Sequence, residues 1–206
     1  QSVKPTSPTP YPMPCTGAGG TTFARTTVSV NTPVGSLIPQ QQFRVVSVDS
    51  QELTGEDGAA TNAIDGDPAT FWHTEWYQRT APLPHTLVLD LGEQYQVDGF
   101  RYLPRQDGNS NGTIADYQFY VSSDGTTWGT AVAAGTLAAN TSEKTVRFTA
   151  KTGRYVRLGA LSEINGYAYT NAAELNVFGT AAPSSTTTTS SLLAQSATTA
   201  PVTSST

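Results

Sequence analysis

Two segments carry most of the side chains in this chain that could do chemistry. The first, Phe71–Trp76, places the imidazole of His73 beside flat aromatic surface. The second, residues 103–112, supplies the guanidinium of Arg105 and, six residues on, the carboxamide of Asn111. An aromatic ring packs against the apolar face of a sugar, while planar polar groups suit its adjacent hydroxyls. The two segments together therefore predict a carbohydrate site.

The composition argues against several other classes of partner. The chain has 206 residues, a net charge of -5 and only 11 Lys and Arg, with no basic run. Nucleic acids and anionic membranes are bound by clustered cations, so neither partner is expected. No stretch of about 20 apolar residues is present to span a membrane. The single cysteine, Cys15, rules out an internal disulfide and a Cys-rich zinc framework.

The pattern of apolar residues favours an all-β fold. Charged residues make up 13% of the chain, and Gly and Pro are plentiful at 18 and 13. No window keeps a helical period, whereas short alternating runs end at turn residues. These runs predict strands at 43–48, 86–91, 97–104, 117–122, 145–148, 154–158 and 174–178, with turns at Gly92 and at 151–153. About eight short antiparallel strands predict a β-sandwich or jelly roll.

The composition also divides the chain into three parts. Residues 1–37 are rich in Pro, Thr and Gly and predict an irregular extension, with one short strand at 26–30. Residues 38–179 form the compact unit. Residues 180–206 carry no charge and are mostly Ser, Thr and Ala, which predicts a linker that cannot bury a core. We expect this linker to be a stalk that joins modules of a larger protein; a disordered terminus is the simpler alternative.

An ordered set of motifs resembles a known family. The core resembles the discoidin, or coagulation factor type C, domain, and more narrowly a family 32 carbohydrate-binding module, the group that includes the N-terminal sugar-binding domain of fungal galactose oxidase. The motifs that carry the resemblance lie at 62–67, 70–74, 84–87, 103–108, 122–128, 153–158 and 171–178. The resemblance implies a jelly-roll β-sandwich with disordered tails. It also implies a secreted, non-catalytic module that binds galactose or N-acetylgalactosamine and targets an attached enzyme to polysaccharide.

The resemblance assigns roles to several polar residues. His73 would bond the axial O4 of the sugar, and Arg105 would span O3 and O4 because its planar fork suits neighbouring oxygens. Asn111 would bond O3 or O2. Glu56 would add an acceptor from the preceding loop, with Glu52 as the less favoured alternative.

Aromatic residues are the candidates for stacking under the sugar. The resemblance gives this role to Trp76 or Tyr169, with Tyr167 as the fallback. Trp72 precedes His73 and is expected to point into the core, and Trp128 follows a turn and is expected to pack.

Two features of the second segment leave alternatives open. Arg105 could pair with Asp107 or Asp116 instead of binding sugar. Residues 111–113 form an N-glycosylation sequon, and residues 140–142 form another. A glycan on Asn111 would block the site, so the sugar-binding hypothesis predicts that Asn111 carries none.

The resemblance further implies a structural Ca²⁺ site, with Na⁺ as the alternative ion. Calcium takes about six to eight hard oxygen ligands. The expected ligands are carboxylates, backbone carbonyls and a hydroxyl from Asn62, Asp65, Asp67, Thr70, Ala173 and Glu174. The alternative is that the Asp-Gly-Asp-Pro sequence at 65–68 is only a turn.

Other function classes have weaker support from the sequence. For catalysis, the chain has two histidines, His73 and His85, and no Gly-x-Ser-x-Gly motif. Nothing places Glu75 and Asp107 across a glycosidic bond. Adhesion to lipid or protein, as in other discoidin domains, is the alternative function. The polar and acidic loop at 51–57 argues against it.

Overall fold

The protein, described by a computed structural model, is built almost entirely from antiparallel strands. The structure describes residues 9–17, 20–28 and 34–182, with side chains described only in the last range. The predicted linker from residue 183 onward lies outside the described residues. The strands are β1 (Thr9–Gly17), β2 (Gly20–Val28), β3 (Ser36–Leu37), β4 (Arg44–Val48), β5 (Trp72–His73), β6 (His85–Leu103), β7 (Asp116–Ser122), β8 (Ala133–Thr136), β9 (Lys144–Ala160), β10 (Asn171–Ala172) and β11 (Glu174–Ala181). Two short 3-10 helices, Gln40–Gln42 and Ala60–Ile64, join them.

Two long bent strands, β6 and β9, fold one sheet over on itself. The seven-stranded sheet runs β3-β11-β6-β9-β7-β8, with β4 also pairing with β6. The first part of β6 pairs with β4 and with the end of β9, whereas its second part pairs with β11 and with the start of β9. The predicted turns at Gly92 and 151–153 were therefore wrong as strand ends. The strands bend there, with a register shift between Asp90 and Tyr95, and continue.

The core lies between the two halves of this sheet. Phe100, on the second half of β6, stacks on Phe119 of β7 with ring centroids 4.4 Å apart. Leu89, Leu158 and Leu175 are at most 1% exposed in the same cluster. The predicted β-sandwich is confirmed, and the closed core leaves the loops at its ends free to carry a site.

The sheet extends beyond both predicted boundaries of the compact unit. Strand β3 pairs with β11 before residue 38, and β11 continues to Ala181. The N-terminal extension holds a β1–β2 hairpin that we did not predict. Prolines at 10, 12 and 14 argued against a strand, but they occupy alternate positions of β1. Alternate residues of an antiparallel pair can all have their backbone nitrogens directed away from the partner, so a two-stranded ribbon tolerates them.

No helix among the described residues has the length and apolar character needed to cross a membrane.

Candidate functional site

A pocket of about 240 Å³ opens among the loops at one end of the fold. All six residues predicted to contact sugar line it, together with one residue that was not predicted: Glu56, His73, Trp76, Arg105, Asn109, Asn111 and Tyr169. The structure thus brings together side chains from four separate stretches of the sequence.

His73 enters the pocket from β5, which pairs with β10. Its side chain is almost fully buried, and its Nδ1–H donates to the carbonyl oxygen of Thr74 at 2.7 Å. Burial lowers the pKa of His73 below its usual value, despite the carboxylate of Glu56 at 3.7 Å. The ring is therefore neutral near pH 7, with Nε2 unprotonated. That nitrogen is suited to accept a hydrogen bond from a hydroxyl group.

Arg105 is fixed on one face of its guanidinium group by an aromatic ring and along one edge by a carboxylate. It lies 4.3 Å from the ring centroid of Phe71, and its Nε donates to Asp107 at 2.8 Å, with a second bond from Nη2 to the same carboxylate. The hydrogen bond to Arg105 holds the pKa of Asp107 below its usual value. Of the two pairings considered, Asp107 is the one that forms, since Asp116 accepts instead from Thr136 and Ser162. Within residues 34–182, Nη1 makes no hydrogen bond, so it remains available to a ligand.

The two aromatic candidates lie in the pocket wall. Trp76 is 38% exposed, and its Nε1–H donates to Glu56 at 2.8 Å. This bond orients the indole and leaves the second carboxylate oxygen of Glu56 available to accept a hydrogen bond from a ligand. The ring of Tyr169 lies 5.7 Å from that of His73. Tyr167, the fallback candidate, is not part of the lining and lies beside Tyr169 at 5.8 Å.

A buried asparagine joins the two loops that present the remaining polar groups. Asn171 accepts from the backbone N–H of Arg105 at 2.9 Å and donates to the carbonyl oxygen of Asn111 at 2.6 Å. Asn109 accepts from the N–H of Asn111 at 2.9 Å. The sequence signal for Asn109 was its position two residues before Asn111, a spacing typical of a side-chain-capped turn. The backbone bonds leave the side-chain amide of Asn111 to the pocket.

Glu52 supports the pocket from behind and does not line it. Its carboxylate is 1% exposed and accepts four backbone N–H groups, at 2.8 to 2.9 Å, from Thr54, Gly55, Trp76 and Tyr77. Burial alone would raise its pKa, but these four donors outweigh burial and lower the pKa to about 2. Glu52 therefore ties the loop that carries Glu56 to the segment that carries Trp76. Each carboxylate oxygen of Glu52 already accepts two N–H groups, so Glu56 is the better candidate for a ligand contact.

The second histidine has a structural role. His85 is fully buried, with Nδ1 2.7 Å from a carboxylate oxygen of Asp49 and Nε2 2.9 Å from the carbonyl oxygen of Ala168. Burial alone would lower its pKa, but these bonds to acceptors raise the pKa above its usual value. His85 therefore holds the loop immediately before Tyr169 and does not line the pocket.

The two remaining tryptophans pack, as predicted. Trp72 is 1% exposed and donates to the carbonyl oxygen of Ser50 at 2.9 Å. Trp128 lies against Arg157, whose guanidinium is 4.9 Å from its ring centroid.

The residues predicted to bind calcium lie around one turn and the start of β11. Asp65 accepts from the hydroxyl of Thr70 at 2.7 Å and from the N–H of Asp67 at 2.8 Å. Glu174 accepts from Gln40 through one oxygen at 2.6 Å, and its other oxygen is buried without a hydrogen-bond partner. Burial, followed by the negative charges of Asp65 and Asp67, raises its pKa. Among the described residues, no group of three or more His, Cys, Asp or Glu side chains is arranged to hold a metal by itself.

Comparisons with known proteins agree with this fold. The sequence profile of the F5/8 type C domain matches residues 46–175. The chain is 43% identical over 164 residues to a sialidase of Micromonospora viridifaciens, covering 79% of this chain and 24% of that protein. It is also 43% identical over 147 residues to a galactose oxidase of Gibberella zeae, covering 71% of this chain and 21% of that protein. The chain thus spans about a quarter or less of the length of these relatives.

Two solved structures from Clostridium perfringens are similar over nearly their whole length. The first, CpGH89CBM32-5 in complex with GalNAc-β-1,3-galactose, is 36% identical with a TM-score of 0.64 and covers 70% of this chain and 100% of that one. The second, the family 32 CBM of NanJ in complex with galactose, is 35% identical with a TM-score of 0.60 and covers 69% and 97%.

Proposed function

The chain belongs to the F5/8 type C, or discoidin, family, and on that premise we propose that it is a non-catalytic module that binds galactose-type sugars. The observation that carries the proposal is the pocket that unites His73, Arg105 and Asn111 with the rings of Trp76 and Tyr169. The neutral imidazole accepts a hydrogen bond from a hydroxyl group, the guanidinium donates to neighbouring oxygens, and one ring covers the apolar face of the sugar.

We infer that an axial O4 is the feature that the pocket recognises. His73 and Arg105 would both bond an axial O4, so an equatorial O4, as in glucose, leaves His73 without its partner and Arg105 with O3 alone. A buried polar group that loses its partner costs about 1 to 3 kcal/mol, which gives strong discrimination. A shallow pocket of this size binds one sugar weakly, with a Kd on the order of 0.1 to 1 mM.

We further propose that the module is secreted and acts within a larger enzyme. The matched relatives are several times longer than this chain and include a sialidase and a galactose oxidase. A weak module gains from being covalently attached, because it raises the effective concentration of a catalytic domain near polysaccharide.

Titration calorimetry with galactose, N-acetylgalactosamine and glucose tests the proposal. We expect binding of galactose, no detectable binding of glucose, and loss of galactose binding in His73→Ala, with the fold checked by circular dichroism. A folded wild-type protein that gives no heat with any of the three sugars would contradict the proposal. It would favour the alternative, adhesion to lipid or protein.

We also propose that Ca²⁺ binds between the turn at Asp65 and the start of β11. The partnerless buried oxygen of Glu174 supports a bound cation, as do the nearby negative charges of Asp65 and Asp67. Side chains alone do not complete a ligand set, so the carbonyls of Asn62 and Ala173 and the oxygens of Thr70 would be required. The ion would supply positive charge that fixes the loop before His73.

Calcium is therefore expected to stabilise the domain. After treatment with EDTA, saturating Ca²⁺ should raise the melting temperature by about 5 to 10 °C in differential scanning fluorimetry. Glu174→Gln should abolish this increase, whereas Glu143→Gln, which removes an exposed carboxylate paired with Arg101 at 3.3 Å, should preserve it. Equal responses of the two variants would contradict the site, and an equal increase with Na⁺ would identify sodium as the ion.

A further inference from the structure

A row of three rings leads out of the pocket. His73 is buried in the pocket, Tyr169 lies 5.7 Å from it, and Tyr167 lies another 5.8 Å beyond Tyr169. Tyr167 is 52% exposed and lies outside the pocket lining. The proposed function uses the first two rings and leaves the third, the most exposed of them, without a role.

The loop that carries Tyr167 is held rigid by a buried carboxylate. Glu163 is 5% exposed and accepts from the N–H groups of Gly112, Asn165 and Tyr167 at 3.1, 2.6 and 3.0 Å. These bonds join the Tyr167 loop to the loop that presents Asn111. A ring on a pre-ordered loop loses little conformational entropy when a ligand stacks on it.

Polar groups accompany this ring. The exposed side chain of Asn165 donates to Glu163 at 3.0 Å and to Ser110 at 3.3 Å, and Ser110 lies between two residues of the pocket lining, Asn109 and Asn111. Tyr167 lies two residues after Asn165 on the same loop, so an aromatic ring, a carboxamide and a hydroxyl are all carried by the loops next to the pocket. Glycan residues present an apolar face and hydroxyl groups, so this surface matches a second sugar of the same chain.

We propose that Tyr167, with Asn165 and Ser110, forms a second subsite that holds the sugar next to a terminal galactose. The preferred ligand is then an oligosaccharide with a galactose end and not the free monosaccharide. This inference rests on the proposed function, because the first sugar must occupy the pocket for the second to reach Tyr167.

The test compares methyl β-galactoside with disaccharides that have a terminal galactose in β-1,3, β-1,4 or α-1,6 linkage. Calorimetry on the wild type should show at least one disaccharide binding about three- to tenfold more tightly than the methyl glycoside. Tyr167→Ala should remove this gain and leave the affinity for methyl β-galactoside within about twofold. Tyr167→Phe, which keeps the ring, should retain the gain.

A matched control is Tyr77→Ala, since Tyr77 is an exposed tyrosine like Tyr167, at 61% against 52%, and lies beside Trp76 and outside the pocket lining. It should retain the gain. The inference is overturned if no disaccharide binds more tightly than the methyl glycoside, if the gain survives in Tyr167→Ala, or if only Tyr77→Ala removes it. In each of these cases methyl β-galactoside still binds, which separates failure of the subsite from failure of the proposed function. Absence of binding by methyl β-galactoside to the wild type would overturn both.

Discussion

Replacing Arg105 with alanine is expected to abolish detectable galactose binding and to leave the domain folded. Each hydrogen bond from a charged donor contributes about 1.5 to 3 kcal/mol, so losing two of them weakens a Kd of about 0.1 to 1 mM beyond detection. Arg105→Lys should recover little, because an ammonium group cannot bond Asp107 in two places and also reach the sugar. Titration calorimetry with galactose measures both variants.

Arg147→Ala is the matched control for Arg105→Ala. Arg147 also pairs with a carboxylate, Asp98 at 2.9 Å, and also stacks on an aromatic ring, Phe178 at 3.4 Å, but it lies outside the pocket lining. Its replacement should leave galactose affinity unchanged. If Arg105→Ala retains affinity within about threefold, or if both variants lose it equally, Arg105 has no direct role in binding.

Asp107→Ala should weaken galactose binding less than Arg105→Ala does in titration calorimetry. Asp107 orients the guanidinium through two bonds, but Phe71 still supports the group from one face. We therefore expect the stacking contact to hold the guanidinium in place without Asp107, since an ion pair with a partly exposed carboxylate contributes little.

The sequence predicted six of the seven residues that line the pocket, because their spacing matches the family pattern. His73 ends the short strand β5, whereas Arg105 and Asn111 lie in the loop after β6, and their match to the family pattern identified all three before their contacts were known. The residues that support them from behind were harder to find. Glu52 and Glu163 accept backbone N–H groups, and a backbone donor leaves no trace in the amino-acid sequence. An acidic residue in a loop is usually solvated, so their burial becomes visible only in three dimensions.

Strand positions were predicted better than strand ends. Alternation of apolar residues identified both halves of β6 and of β9, since each half has one face in the core. Gly92 predicted a turn because glycine permits a positive φ, and its φ is indeed +88°. The chain uses that freedom for a bend within a continuous strand, where Arg154 bridges to Asp90 through two bonds of 2.7 Å. Pairing across such a bend depends on distant partners that local sequence does not reveal.

Glu52 should contribute more to stability than any other carboxylate near the pocket. Its four backbone donors lower its pKa from 4.5 to about 2, so its stabilising effect is fully present above about pH 4.5 and is lost as the pH falls toward 2. In Glu52→Gln, one amide oxygen must replace two carboxylate oxygens, and the NH₂ group faces N–H donors. We expect the free energy of unfolding to fall by about 2 to 4 kcal/mol near pH 7. Urea denaturation measures this difference.

The pH dependence separates this role from a simple packing defect. The difference in unfolding free energy between wild type and Glu52→Gln should shrink between about pH 4.5 and about pH 2, because protonation removes the same charge from the wild type. Glu75→Gln is the control: it changes a neighbouring glutamate that pairs with exposed Arg79 at 2.6 Å, and such pairs contribute little. Galactose affinity should also fall in Glu52→Gln, since Glu56 and Trp76 lose their common anchor. A difference in unfolding free energy that is independent of pH would assign the loss to packing and remove the carboxylate from the explanation.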